Sequence, residues 1–137
     1  MKLSTKGRYG LKAIYELALV VNENSPLPIK VIAEKIGVSE LYLEQIFSVL
    51  KKSDLINSVR GSQGGYLLAK SPSEVTVGDV IRSLEGPIAP SSCVSGEDAP
   101  CLNAEECVTK IVWEKMKNSI DVCMDSITLQ DMLDKNI

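Results

Sequence analysis

Apolar positions recur every three or four residues through most of the chain, the spacing that places side chains on one face of an α-helix. The first such stretch covers residues 4–22, and Ser4 or Thr5 can cap its start. Two shorter stretches lie between Ile29 and Lys52 and are separated by Gly37-Val38-Ser39, where the glycine can end one helix and the serine can cap the next. This order predicts a helix-turn-helix. Its core positions are Ile29, Ile32, Ala33 and Ile36 on the first helix and Leu43, Ile46, Phe47 and Leu50 on the second.

The period changes from helical to alternating between residues 55 and 69. Ile56, Ser58 and Arg60 fit one strand and Tyr66 and Leu68 fit another, with the glycine-rich loop 61–65 between them. A hairpin directly after a helix-turn-helix is typical of a wing. Arg60 at its base is placed to enter a minor groove or to hold a phosphate, although an ordinary hairpin with a surface arginine is the alternative.

Helical periodicity returns in residues 76–85, with Thr76 as the cap, and again from Val108 onward. The second of these helices carries one apolar stripe across about sixteen positions, which predicts packing against the same helix of a second chain. A short last helix follows in residues 126–133. The fold predicted is therefore mainly α: a winged helix-turn-helix domain in residues 1–86, a cysteine-containing loop in 87–107, and a dimerisation helix with a short C-terminal helix in 108–137.

Charge is divided unevenly along the chain. Residues 1–70 carry ten Lys and Arg against six Asp and Glu, whereas residues 71–137 carry five against twelve. A basic first half favours contact with a polyanion by that half alone. The longest apolar run is far short of the roughly 20 residues that span a bilayer, and no signal peptide is recognisable. We therefore expect a cytoplasmic protein with no membrane contact, whose thiols stay reduced.

Three of the four cysteines lie within fifteen residues, at Cys93, Cys101 and Cys107, among Ser, Gly, Asp, Glu, Asn and Pro. This is the composition of an exposed loop, and thiols at such spacing are candidates for metal binding or redox sensing. An enzyme is not favoured, because the chain has no histidine to act as a base and has neither a C-x-x-C motif nor a phosphate loop.

Four separated blocks carry a family resemblance: M-K-L-S-T-K-G-R-Y-G-L-K, V-S-E-L-Y-L-E-Q-I-F, S-V-R-G-S-Q-G-G-Y-L-L and V-G-D-V-I-R-S-L-E-G-P-I. In this order they resemble the bacterial winged-helix transcription regulators that include IscR, NsrR and CymR. The resemblance implies a homodimer that binds a pseudo-palindromic operator in double-stranded DNA. By motif, the residues implied as base-reading are Leu41, Glu44, Gln45 and Arg60, and those implied as phosphate contacts are Tyr9, Tyr42, Gly64 and Gly65.

One of these positions departs from the usual pattern. Leu41 stands where IscR proteins often have a small polar residue, so the operator sequence does not follow from the resemblance.

For the cysteines, the resemblance to the IscR branch implies an iron-sulfur cluster, commonly [2Fe-2S], held by Cys93, Cys101 and Cys107. The fourth ligand in that branch is a histidine three residues after the third cysteine, and Lys110 stands there in this chain. The fourth ligand is therefore unknown, and a carboxylate, Cys123, solvent or a small thiol would have to supply it. The oxygen donors considered for it are Asp98, Glu105, Glu106 and Glu16 of the partner subunit.

The fourth cysteine, Cys123, is expected to be a small core residue. It lies sixteen residues after Cys107 and so about 24 Å away on a continuous helix, too far to join the same cluster.

Other functions remain open for the loop. The chain also resembles CymR, a repressor controlled by a cysteine-synthesis enzyme without a cluster, and a protein partner of that kind is the main alternative. Structural zinc, metal-free redox thiols and incidental cysteines are further alternatives.

Overall fold

The computed structural model describes residues 1–96 and 106–137, so that Cys101, Asp98 and Glu105 lie outside the described residues. Within these ranges the chain is mainly helical with a two-stranded antiparallel sheet, which confirms the predicted winged helix-turn-helix with a long helix after it. The elements are α1 Thr5–Leu19, α2 Ile29–Ile36, α3 Glu40–Lys52, β1 Ile56–Val59, β2 Gly65–Leu68, α4 Val77–Glu85, α5 Val108–Ser126 and α6 Leu129–Asp134.

Side-chain caps set the start of several helices where the sequence predicts them. The Ser4 hydroxyl accepts a hydrogen bond of 3.1 Å from the Gly7 amide at the start of α1, and Thr76 and Thr128 form capping boxes at the starts of α4 and α6. The end of α1 differs from the prediction. The Val20 amide bonds to the carbonyls of both Leu17 and Ala18, and the chain then tightens into a 3₁₀ turn, so the α-helix stops at Leu19.

The turn between α2 and α3 is formed by the two residues predicted for it. Gly37 adopts a left-handed conformation with φ of 77°, and its amide bonds to the Ala33 carbonyl at 2.9 Å. The Ser39 hydroxyl then accepts from the Tyr42 amide at 3.1 Å and starts α3. This turn sets the direction of α3 relative to α2.

The core lies between α1, α2, α3 and α4. The four predicted apolar residues of α3 are completely buried, and burying each side chain contributes about 1.5–3 kcal/mol. Leu129 of α6 joins the same core, because α6 folds back onto α1. Further completely buried members are Ala13, Ile14, Ile32, Ile56, Val75 and Val80.

Two glycines of α1 allow α4 to approach unusually closely. A Cβ atom at Gly7 would overlap the carboxylate of Glu85, and one at Gly10 would overlap the side chain of Leu84. Both glycines are buried, so this face of α1 lies directly against the last turn of α4.

The wing is extended by a third backbone segment. β1 and β2 pair from Ile56 opposite Leu68 to Val59 opposite Gly65. Leu27, just before α2, exchanges two hydrogen bonds of 3.0 Å with Tyr66 of β2. The wing is therefore attached to the helix-turn-helix by backbone as well as by side chains.

Ion pairs join α5 to α4. The Arg82 guanidinium donates to Asp121 at 3.2 Å and to Asp125, and Lys117 reaches the same Asp121 at 2.5 Å. In its own chain α5 buries only Met124. Its exposed apolar residues are Val108, Ile111, Val112, Met116 and Val122, with 73%, 64%, 48%, 39% and 70% of their surface accessible. Among the helices described, none has the length and apolar character needed to cross a membrane.

Candidate nucleic-acid interface and cysteine segment

The outward face of α3 carries the side chains predicted to read DNA bases. Leu41, Glu44 and Gln45 are exposed, Leu41 to 67%, because the opposite face of the helix is occupied by the core. A helix that projects free polar side chains beyond a tight turn can enter a major groove and meet base edges. That these three residues read bases stays a prediction.

Tyr9 and Tyr42, both predicted to contact phosphate, lie together. Their rings meet edge to face with centroids 6.3 Å apart, and the Lys12 ammonium lies 5.3 Å from the centre of the Tyr9 ring. The pair brings the first half of α1 beside the first turn of α3. Two phenol groups and a cation at this position form a surface suited to a phosphate backbone.

Arg60 lies just after β1 and is exposed. In residues 1–96 and 106–137 no carboxylate pairs with it. It lines a cleft of about 440 Å³ between the wing and the start of α2, where Lys30 is also exposed. The sequence did not single out Lys30, because a lone lysine on a short helix is usually a solvated side chain. Its position opposite Arg60 depends on the Leu27–Tyr66 pairing.

The wing glycines have packing roles besides their predicted contact with DNA. A Cβ at Gly64 would overlap the carbonyl of Val59, and one at Gly65 would overlap the carbonyl of Leu27. Glycine is therefore required at both positions by the close approach of the backbone. Whether their amides also touch phosphate stays a prediction.

Aromatic packing fixes α3 against the wing. The rings of Phe47 and Tyr66 lie 4.6 Å apart, and Lys51 donates a hydrogen bond of 2.6 Å to Ser58 of β1. Burial, and secondarily the negative charge of Glu44, raises the pKa of the Tyr66 phenol. α3 and the wing are thus parts of one packed unit.

The cysteine segment, residues 87–107, is described at its two ends. Cys93 lies in a 3₁₀ turn, Ser92–Val94, that packs against α5, and its thiol is 3.3 Å from the Ser91 hydroxyl. Cys107 is the residue just before α5, and its thiol is 3.1 Å from the Thr109 hydroxyl. That hydrogen bond, with a contribution from the Lys110 amide, lowers the pKa of the Cys107 thiol and favours the thiolate, the form that binds metals.

A complete ligand set is not described. Both thiols are free, and Cys101, the third predicted ligand, lies outside the described residues. Among residues 1–96 and 106–137, no three acidic or thiol side chains are grouped closely enough to hold a metal ion. The donors fit an iron-sulfur cluster in kind, since thiolates are its usual ligands.

One expectation about a neighbouring residue needs correction, and one candidate ligand has a partner in its own chain. Cys123 is exposed on α5 and is not a core residue of this chain; Met124, the next residue, is the buried one on this helix. Glu16, considered as a ligand from the partner subunit, forms an ion pair with Lys35 of its own chain at 3.3 Å. Since α5 is continuous from Val108 to Ser126, the distance argument against Cys123 as a ligand alongside Cys107 stands.

Comparison with known proteins identifies the family of this chain. The model of the Rrf2 family, described as an iron-dependent transcriptional regulator, matches residues 3–135. The chain belongs to the Rrf2 family. As a member it is a DNA-binding transcriptional regulator and not an enzyme, in agreement with the winged helix and with the resemblance found in its sequence.

Both IscR and CymR proteins are among its Rrf2 relatives. The chain is 42% identical over 132 residues to the HTH-type transcriptional regulator CymR of Bacillus subtilis, covering 96% of this chain and 89% of CymR. The solved structure of T. potens IscR is 47% identical, with a TM-score of 0.79 over 100% of this chain and 89% of that one. The structure of CymR, the global cysteine regulator of B. subtilis, has a TM-score of 0.83 and 39% identity over 100% and 99% of the two chains.

Proposed function

We propose that this regulator is a homodimeric repressor, able in principle to activate as well, whose operator binding is set by an iron-sulfur cluster on Cys93, Cys101 and Cys107. The observation that carries the proposal is the placement of the described thiols. Cys93 packs on α5 through its turn and Cys107 begins α5, so a group bound between them would tie the segment after α4 to the long helix. It would act in the cytoplasm, where bacterial DNA is accessible.

A cluster would supply a redox-sensitive centre, commonly [2Fe-2S], while the protein supplies thiolates and orients them. The Thr109 hydroxyl and the Lys110 amide stabilise the Cys107 thiolate before any metal binds. The segment contains only three cysteines and the chain contains no histidine. The fourth ligand is therefore an oxygen donor, solvent or a small thiol. An incomplete protein ligand set favours weak retention of the cluster.

The test combines metal analysis with operator binding. Protein purified without oxygen should contain iron and acid-labile sulfide and should absorb visible light. Replacing Cys93, Cys101 and Cys107 together by serine should remove the iron and change operator affinity. Cys123→Ser is the matched control, because it removes an exposed thiol of the same chain outside the segment, and it should leave both properties unchanged.

The alternative function is that of a repressor of cysteine and sulfur metabolism controlled by a protein partner, such as a cysteine-synthesis enzyme, with no cluster. It is supported by the 42% identity to CymR and by the absence of the expected histidine. Under this alternative, colourless protein binds the operator normally, and the triple serine variant is regulated like the wild type.

The homodimer is supported by the exposed apolar residues of α5. Its main described neighbours within the chain are α4 and the Ser92–Val94 turn, and Ile111, Val112 and Val122 stay accessible. A second copy of the same helix would remove these side chains from water. Light scattering should therefore give a dimer for the wild type and a monomer for Ile111→Asp. The control Val31→Asp places the same charge on α2, at a residue that is also partly exposed, and should stay dimeric.

A further inference from the structure

The last turn of α4 contacts two parts of the molecule that are far apart in sequence. The Glu85 carboxylate accepts a hydrogen bond from the Ser4 amide at the start of α1. One turn earlier, Arg82 holds Asp121 and Asp125 of α5. Gly86 then ends α4 with φ of 76°, and the chain continues toward Cys93. This turn therefore joins α1, α5 and the start of the cysteine segment.

The charge of Glu85 complements the start of α1. A helix start favours negative charge, yet the first turn of α1 has no acidic residue and carries Lys6 and Arg8 close by. Glu85 supplies the missing negative charge from a residue 81 positions away. Its approach is possible because Gly7 has no side chain, as a Cβ there would overlap the carboxylate.

The same end of α1 lies beside α3. Tyr9 lies one turn after Thr5, the first residue of α1, and its ring packs edge to face against Tyr42 in the first turn of α3. A shift of the α1 start would therefore change the position of Tyr9 and of the nearby cations relative to α3. Glu85 is thus connected to Tyr42 by its hydrogen bond to Ser4, by the first part of α1 and by the contact between the Tyr9 and Tyr42 rings.

We propose that Glu85 is a positioning residue for DNA binding, which sets the first turn of α1 against α3 and passes the state of the cysteine segment to this surface. The inference rests on the proposed function for the DNA and the cysteines. It assigns to Glu85 a role that depends on its contact with Ser4 and on its place one residue before Gly86, where the chain leaves α4.

The first experiment measures operator affinity at several salt concentrations for Glu85→Ala and Glu85→Gln. We expect Glu85→Ala to bind about tenfold more weakly, with a salt slope flatter by about 0.9 if one phosphate contact is lost. Glu85→Gln keeps an oxygen acceptor for the Ser4 amide and should retain most of the affinity. Glu23→Ala is the control, since it removes an exposed carboxylate beyond the other end of α1.

A purely structural role predicts a different result. If Glu85→Ala lowers the melting temperature and the affinity but leaves the salt slope unchanged, the residue only supports folding and the positioning role is overturned. An affinity equal to that of the wild type overturns it as well.

The second experiment tests the connection to the cysteine segment with a double-mutant cycle. The effect of the triple Cys→Ser change on operator affinity is measured with Glu85 and with Ala at that position. We expect the effect to shrink to less than about twofold when Glu85 is absent, because independent sites would give additive changes. An effect of equal size in both backgrounds overturns the connection.

Failure of the proposed function gives a separate result. If the triple change has no effect even when Glu85 is present, control by the cysteines is wrong and the connection falls with it, while the salt slope still decides the positioning role. If the wild type does not bind its operator at all, the DNA-binding proposal itself fails.

Discussion

The ring of Tyr9 meets the ring of Tyr42 edge to face, with 6.3 Å between their centroids. This contact joins the start of α1 to the first turn of α3, so two segments 33 positions apart form one surface. Because the Ser39 hydroxyl fixes the Tyr42 amide at the same time, the tyrosine is held by both its backbone and its ring. Contributions to stability and to DNA affinity can therefore be separated by changing the ring or only its hydroxyl.

Tyr42→Ala should lower the free energy of unfolding by at least about 0.5–1.5 kcal/mol, the value of an aromatic pair beyond its buried area, and should also weaken operator binding. Tyr42→Phe keeps the ring and should keep the stability. If the hydroxyl contacts phosphate, Tyr42→Phe loses operator affinity without losing stability. Chemical denaturation and operator titration of both variants make the comparison, and equal affinity of Tyr42→Phe and the wild type would remove the hydroxyl from the interface.

Gln45→Ala should change which base is preferred at one operator position, by about 1–3 kcal/mol, since a side chain on the outward face of α3 can pair with a base edge. Selection of binding sites from random DNA measures this preference. Ser48→Ala, on the same helix and also exposed, serves as the control and should retain the wild-type preference. A uniform loss over all sequences would instead indicate that Gln45 contacts the DNA backbone.

Arg60→Ala should cost about 1–3 kcal/mol of operator affinity, as the loss of a good base contact does. Its guanidinium is exposed beside the cleft shared with Lys30 and has no carboxylate partner among the described residues, so no internal ion pair is lost. Lys70→Ala removes an exposed positive charge just after β2 and should have a smaller effect. Equal losses for the two variants would mean that Arg60 contributes only general charge.

Tyr66 should make the folded protein less stable in strong alkali. Its pKa is raised in the folded state by burial, then by Glu44, so as pH rises the unfolded chain loses the phenol proton first. Stability is therefore complete below the ordinary tyrosine pKa of about 10 and falls above it. Tyr66→Phe should show a weaker fall of unfolding free energy above that pH, and Tyr15→Phe is the control.

The local elements were accessible from the sequence because short-range chemistry determines them. Ser4, Gly37, Ser39 and Thr76 start or end helices through contacts within a few residues. The spacing of the four apolar residues of α3 predicted which face of the helix is buried. The exposed face is the opposite one. The turn, the wing and the long helix were therefore predictable together.

Contacts between distant residues were not accessible in the same way. The spacing of Gly7 and Gly10 does not predict that Glu85 and Leu84 pack against them. A glycine inside a helix has no side chain and so adds nothing to an apolar pattern. Cys123 fitted the apolar stripe, but which side of α5 faces the domain depends on Arg82 and the aspartates it binds. The base-reading and cluster-binding roles depend on partners outside the chain and stay predictions.

The weak anchoring of α5 within its own chain has a thermodynamic consequence. Met124 is the one buried residue of this 19-residue helix, so burial against its own domain contributes little free energy, although such packing supplies most of the stability of helices in proteins. If a second copy supplies the missing contacts, mass action makes the melting temperature rise with protein concentration. Dilution would then loosen the helix and separate the two DNA-reading units together, so the amount of regulator in the cell would itself affect how much of it can occupy an operator.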